Sequence, residues 1–104
     1  MLSSLSIVIP AYNEGTTIAA TIDDALRIGP RLARELEVIV CDDASTDATA
    51  QILAARRAVE PRLRVLDRRA NAGIEASIRA LYAHATCDWV FLISADGEIG
   101  RAHV

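Results

Sequence analysis

The stretch LEVIVCDDAS, residues 36–45, sets the reading of the whole chain. Leu36 to Cys41 form a short, β-branched and almost wholly apolar run, which suits a strand buried on both faces better than a half-exposed one. The run breaks off at two adjacent carboxylates, Asp42 and Asp43. The pattern predicts a strand over 36–41, then a helix capped by Ser45. Asp47 falls in the first turn of that helix, where negative charge meets the positive end of the helix dipole. Ile52, Ala55 and Val59 supply its apolar face, and Pro61 lies beyond its end.

The same alternation extends in both directions. Upstream, Leu5–Ile9 reads as a buried strand ended by Pro10. From Thr16 to Ile28, Ile18, Ile22 and Leu26 recur every four residues, an amphipathic helix that Gly29-Pro30 should stop. Downstream, Leu63–Leu66 is short and mixed, as an edge strand would be. After Asn71-Ala72-Gly73 a third helix is marked by Ile74, Ile78, Leu81, Tyr82 and Ala85, and Trp89–Ile93 is a fourth strand, expected to be central in a longer chain and to show an open edge if the strands that follow are missing. Apolar strands alternating with amphipathic helices predict an α/β fold. It is three-layered, doubly wound and Rossmann-like, with four parallel strands and three helices.

Composition narrows the function. At 104 residues there is room for one small domain. Aromatic residues make up only 4% against 52% hydrophobic, so the core must be aliphatic. A net charge of -3 without a basic cluster argues against a nucleic-acid partner. No apolar run approaches the roughly 18 residues that span a bilayer. Cys41 and Cys87 lie far apart, without CxxC spacing, and read as two buried reduced thiols of a cytoplasmic domain. His84 and His103 form no ligand pair.

In open α/β sheets ligands sit beyond the carboxyl ends of the strands. Those ends here are Pro10-Ala11-Tyr12-Asn13-Glu14, Asp42-Asp43, Asp67-Arg68-Arg69 and Ser94-Ala95-Asp96, with a carboxylate at each. Neither G-x-G-x-x-G nor a P-loop is present, so the glycine-rich phosphate turns are excluded. A receiver-type signalling domain also gathers acidic residues at strand ends. It needs them after the first strand and a lysine near its end, and this chain has no lysine.

SIVIPAYNE, then VIVCDDASTDAT, then NAG opening a helix, then FLISADG resemble, in that order, the family 2 glycosyltransferases of the GT-A fold. Within that family the dolichyl-phosphate-mannose-synthase-like branch is the nearest resemblance, over roughly residues 4 to 97. The resemblance implies the donor-binding half of an inverting transferase that takes a sugar from a UDP- or GDP-sugar to an unknown acceptor, polyprenyl phosphate being one option. It implies that Asp42 or Asp43 accepts from the N–H edge of uracil or guanine, which adenine's acceptor edge would not satisfy; the competing reading is that one of the pair is a helix cap preceding Ser45. Pro10, Ala11 and Tyr12 form the wall behind base and ribose, and Glu14 reaches polar groups of the nucleoside. Asn71 and Gly73 are read as capping the third helix, and Arg68 and Arg69 as solvated.

The resemblance also implies Mg²⁺ or Mn²⁺ on the diphosphate, with Asp96 as metal ligand. The family's D-x-D reads Ser94-Ala95-Asp96 here, so Ser94 contributes a hydroxyl to ribose or metal-bound water but no charge. That departure admits a non-catalytic nucleotide-sugar-binding module as an alternative. Residues 98–104, EIGRAHV, lack strand or helix periodicity and coincide with one translated frame of a common sequencing adapter. They are expected to be a non-native tail on a domain over 1–97. The family's catalytic base would then lie further along a longer chain, and this piece alone would be inactive.

Overall fold

The computed structural model describes residues 1–96. Seven elements alternate: β1 (Leu2–Ala11), α1 (Ile18–Leu32), β2 (Ala33–Asp42), α2 (Thr49–Val59), β3 (Leu63–Asp67), α3 (Ile74–His84) and β4 (Trp89–Leu92). All pairings are parallel and the strand order is β3-β2-β1-β4. β3 takes the edge expected of it. Among the described residues β4 pairs only with β1, so its other edge is open.

The two-residue period of the strands divides the core. Ile7, Ile9, Val38 and Val40 point to one face, where Ile18, Ile22 and Ala25 of α1 and Leu53 of α2 cover them. Val8, Ile39 and Cys41 point to the other, beneath Leu81 of α3. The result is the three-layered α/β arrangement expected. Cys41 is buried, whereas Cys87 is only half-buried.

Three of the expected boundaries move, each for a physical reason. Pro10 does not end β1, which continues to Ala11. Val8 O accepts from Ile93 N–H on the β4 side and Ala11 O accepts from Asp43 N–H on the β2 side. Alternation therefore turns Pro10 toward β4, where it offers no N–H to carry the ladder past Val8 opposite Leu92, while the β2 side of the strand stays paired to Ala11. Gly29-Pro30 does not stop α1 either. Pro30 sits in the last turn, and Gly29 is where Leu36 packs onto the helix: a Cβ there would lie 2.5 Å from Leu36 Cδ2.

Ser45 caps nothing, because α2 starts four residues later at Thr49. Ala48 is the N-cap residue, and Asp47 lies just before it and not in the first turn, its Oδ1 accepting from Thr49 N–H at 2.9 Å. The inward residues of α2 are Thr49 and Leu53, with Ile52 at the margin, while Val59 is 80% exposed. On α3 they are Ser77 and Leu81, leaving Ile74 66% and Tyr82 49% exposed.

At the amino ends of the strands a polar clamp closes the sheet. Glu37 Oε2 accepts from Ser6 Oγ (2.5 Å) and from the Thr86 amide (2.7 Å), and Oε1 accepts from Arg64 (3.0 Å). Burial pushes the Glu37 carboxyl up. Hydrogen bonds from Ser6, Thr86 and Arg64 outweigh it and hold the pKa below the ordinary value. A depressed carboxyl pKa stabilises the fold above the unfolded value, about 4.3 for glutamate, and that contribution fades as pH falls through the folded value. Glu37→Gln should therefore cost about 1–3 kcal/mol at neutral pH. Its penalty should shrink on acidification, which urea melts at neutral and acid pH will check.

Candidate functional site

Strand order reverses between β1 and β4. The chain steps from β1 outward through β2 to β3, then returns to the far side of β1. At the carboxyl end of that reversal lies a cavity of about 490 Å³. Its floor comes from β1 (Pro10, Ala11) and the end of β4 (Leu92, Ile93), one wall from α3 (Ile74, Ser77, Ile78), and its rim from Tyr12, Glu14, Asp43, Ser94 and Asp96. Every residue expected at the site lines this cavity except Asp42.

Asp42 and Asp43 are separated by strand alternation. Asp42 is buried and turned away; its Oδ1 accepts from the Ser45 amide at 3.1 Å, a bond within the loop before α2 and not the helix cap expected of one of the pair. Asp43, also buried, faces the cavity and the start of α3. Its Oδ1 accepts from Ala72 N–H (2.9 Å) and its Oδ2 from Gly73 N–H (2.8 Å), while Asn71 Nδ2 donates to its carbonyl at 3.2 Å. Gly73 takes φ 93°, a left-handed conformation suited to glycine, and opens α3 without a side-chain cap. Each carboxylate oxygen keeps a second lone pair for a donor in the cavity.

Arg68 is not the solvated residue expected. It lies back over α3, donating to Ala76 O at 2.8 Å, with Nε 4.0 Å from Asp43 Oδ1. Ser77 Oγ, in the cavity wall, has no hydrogen-bond partner among the described residues.

Asn13 went unread as an organising residue. At φ 53° it sits in the left-handed region that asparagine tolerates. Its Oδ1 accepts from the amides of Thr46 (2.7 Å) and Asp47 (3.3 Å), and its own N–H donates to Ser45 Oγ (2.9 Å). Next to it, Glu14 N–H donates to Thr49 Oγ1 and Gly15 N–H to Asp47 Oδ2, each at 3.0 Å. The loop after β1 is thereby tied to the loop after β2. Hydrogen bonds from the Thr49 hydroxyl and amide hold the Asp47 carboxyl below its ordinary pKa. Asn13→Ala should lose the side-chain ties to the Thr46 and Asp47 amides and cost about 1–2 kcal/mol, seen as a lowered Tm.

The turn after β4 is held from α1. Ala95 is buried, and its carbonyl accepts from Thr21 Oγ1 at 2.8 Å and Thr17 Oγ1 at 3.0 Å. Ser94 and Asp96 on either side are exposed to the cavity. The signal for the threonines was present in sequence: two hydroxyls, four residues apart, beside the apolar positions Ile18 and Ile22 of a helix that otherwise faces the core.

The sequence profile described as Glycosyl transferase family 2 matches residues 6–104. The chain belongs to the family 2 glycosyltransferases. Among curated relatives it is 32% identical over 97 residues to a dolichyl-phosphate beta-glucosyltransferase of Trichomonas vaginalis, covering 88% of this chain and 29% of that protein. It is 41% identical over 70 residues to the chondroitin synthase of Escherichia coli, covering 67% of this chain and 10% of that enzyme. The chain thus spans under a third of the length of these relatives.

Solved structures place the fold among the GT-A glycosyltransferases. Residues 1–349 of S. aureus TarS in complex with UDP-GlcNAc superpose with a TM-score of 0.78 at 27% identity, covering 89% of this chain and 26% of that one. The Pyrobaculum calidifontis mannosyltransferase PcManGT, solved with GDP-Man and Mn²⁺, gives a TM-score of 0.78 at 24% identity over 92% of this chain and 28% of its own. This family 2 chain contains no helix, among the described residues, long and apolar enough to cross a membrane.

Proposed function

We propose that this chain is the nucleotide-sugar-binding part of an inverting glycosyltransferase that moves a sugar from a UDP- or GDP-sugar to an acceptor, with polyprenyl phosphate the first acceptor to try. The observation that carries the donor assignment is Asp43. It is a buried carboxylate with spare acceptor capacity at the cavity's edge, beside the start of α3. An imide or guanine edge offers the N–H groups such an acceptor needs. The S. aureus relative's complex with UDP-GlcNAc supports a uridine donor, and the dolichyl-phosphate relative supports a lipid-phosphate acceptor.

In this reading Pro10, Ala11 and Tyr12 back the base and ribose, Glu14 meets nucleoside hydroxyls, and Asp43 selects the base. Asp42 serves the site from behind by fixing the Ser45 turn.

The rim fits a cation brought by the diphosphate. Among the described residues no group of three His, Cys, Asp or Glu side chains is arranged to hold an ion unaided. Asp96 and Ser94 instead offer one carboxylate and one hydroxyl on the open side of the cavity. A Mg²⁺ or Mn²⁺ ion held by one or two carboxylates, substrate phosphates and water needs no more from the protein. When bound, such an ion neutralises charge on the diphosphate leaving group.

The cavity's carboxylates, Glu14, Asp43 and Asp96, all have donor-side roles here, so the base that deprotonates the acceptor is assigned to the remainder of a longer enzyme. The chain by itself is then a binder without transferase activity. The tail proposed over 98–104 lies outside the described residues, as does Gly97. A second reading, a nucleotide-sugar-binding module without catalysis even at full length, is favoured by Ser94, which removes one charge from the metal side.

Titration calorimetry with UDP, GDP and ADP is the test. Tighter binding of UDP or GDP than of ADP is expected. Equal binding of all three would overturn the base assignment.

A further inference from the structure

We propose that Thr17 and Thr21 of the α1 segment are positioning residues that set how tightly Asp96 holds the diphosphate-bound cation. The proposal rests on the reading of Asp96 given above.

Each threonine has one hydroxyl proton to give. Thr21 Oγ1 lies 2.8 Å from Ala95 O and 3.1 Å from Thr17 O, and Thr17 Oγ1 lies 3.0 Å from Ala95 O and 3.2 Å from Glu14 Oε2. Ala95 O is the nearer acceptor for both. It belongs to a residue only 5% exposed, where an unpaired carbonyl is costly and water is a poor substitute.

Its position matters because the peptide unit is planar. The Ala95 carbonyl, the Asp96 amide and the Asp96 Cα share one plane, so pinning the oxygen fixes the direction in which Asp96 leaves the chain. Among the described residues β4 pairing ends at Leu92 and the last ladder-like bond is Ile93 N–H to Val8 O, so no sheet bond of theirs supplies that constraint at Ala95. The two hydroxyls on α1 do.

The test compares the pair Thr17→Val with Thr21→Val, which keeps the shape and removes both hydroxyls, against Thr17→Ser with Thr21→Ser, which keeps them. UDP binding is measured by calorimetry in Mn²⁺ and in chelator. The valine pair should lose about 10–100-fold of the Mn²⁺-dependent gain, the usual size for loss of a group that orients a metal ligand. Its affinity in chelator should hold, and the serine pair should keep the gain. A full gain in the valine pair, or equal losses with and without Mn²⁺, would overturn the proposal.

If the unsubstituted chain shows no Mn²⁺ gain, the reading of Asp96 has failed. The backbone amide NMR signals of Asp96 then decide the positioning role alone. Signals displaced in the valine pair and restored in the serine pair uphold it; unmoved signals end it. Should the valine pair fail to fold, Thr21→Val alone, which removes the shorter bond, carries the same two readouts.

Discussion

Asp43→Ala should erase the preference of this chain for UDP and GDP over ADP. The loss should be about 1–3 kcal/mol, or roughly 5- to 150-fold in Kd, as for a hydrogen bond to a charged group. Asp43 is buried at the cavity's edge, and only its spare lone pairs are available to a ligand, since Ala72 and Gly73 take one acceptor site on each oxygen. The same substitution frees those two amides, so it should also lower Tm. Asp42→Ala separates the two effects. Its carboxylate serves the Ser45 amide and not the cavity, so Tm should fall while the base preference survives. Calorimetry on both variants, with thermal melts alongside, reads the difference. Preference lost in Asp42→Ala and kept in Asp43→Ala would reverse the assignment.

The second large effect is expected at Asp96. Mn²⁺ or Mg²⁺ should tighten diphosphate binding in the unsubstituted chain, and Asp96→Asn should abolish that gain while leaving binding in chelator nearly unchanged. Ser94→Asp should enlarge it, because a second carboxylate on the rim adds charge where the cation sits. The comparison of UDP with uridine under both conditions isolates the diphosphate. Equal UDP affinity in chelator and in metal would count against any cation at this rim.

The strands were legible because burial on both faces leaves an unmistakable apolar run, and Leu36 to Cys41 is the clearest of them. Helix faces were less so. Ile52, Ala55 and Val59 fit an amphipathic pattern, yet the inward residues are Thr49 and Leu53. The helix starts where Asp47 and Glu14 grip Thr49, and that start fixes the face. Pro10 and Pro30 misled because neither ends its element. Pro30 gives up one helix hydrogen bond two residues before α1 ends, and which neighbour a strand residue such as Pro10 faces is a property of the sheet.

At the site, the residues that touch the cavity were visible as polar breaks after apolar runs. The choice between Asp42 and Asp43 was not, since it depends on which side each carboxylate leaves the strand end. Asn13, Thr17, Thr21 and Arg68 were harder still. Asn13 acts on the loop after β2, and Thr17 and Thr21 act on a carbonyl more than seventy residues away in sequence. Arg68 is folded onto α3 by contacts with Ala76 and Asp43 that no local pattern announces.

The most direct test of the central claim, that the cavity where strand order reverses receives the nucleotide, is an NMR titration of the ¹⁵N-labelled chain with UDP and with GDP. Saturable shifts are expected at the amides of Ala11, Tyr12, Asp43, Gly73, Ser94 and Asp96, with Glu37, Thr86 and Asp88 at the opposite end of the sheet unmoved. Shifts centred on that opposite end, or none at any of the cavity amides at saturating nucleotide, would contradict it.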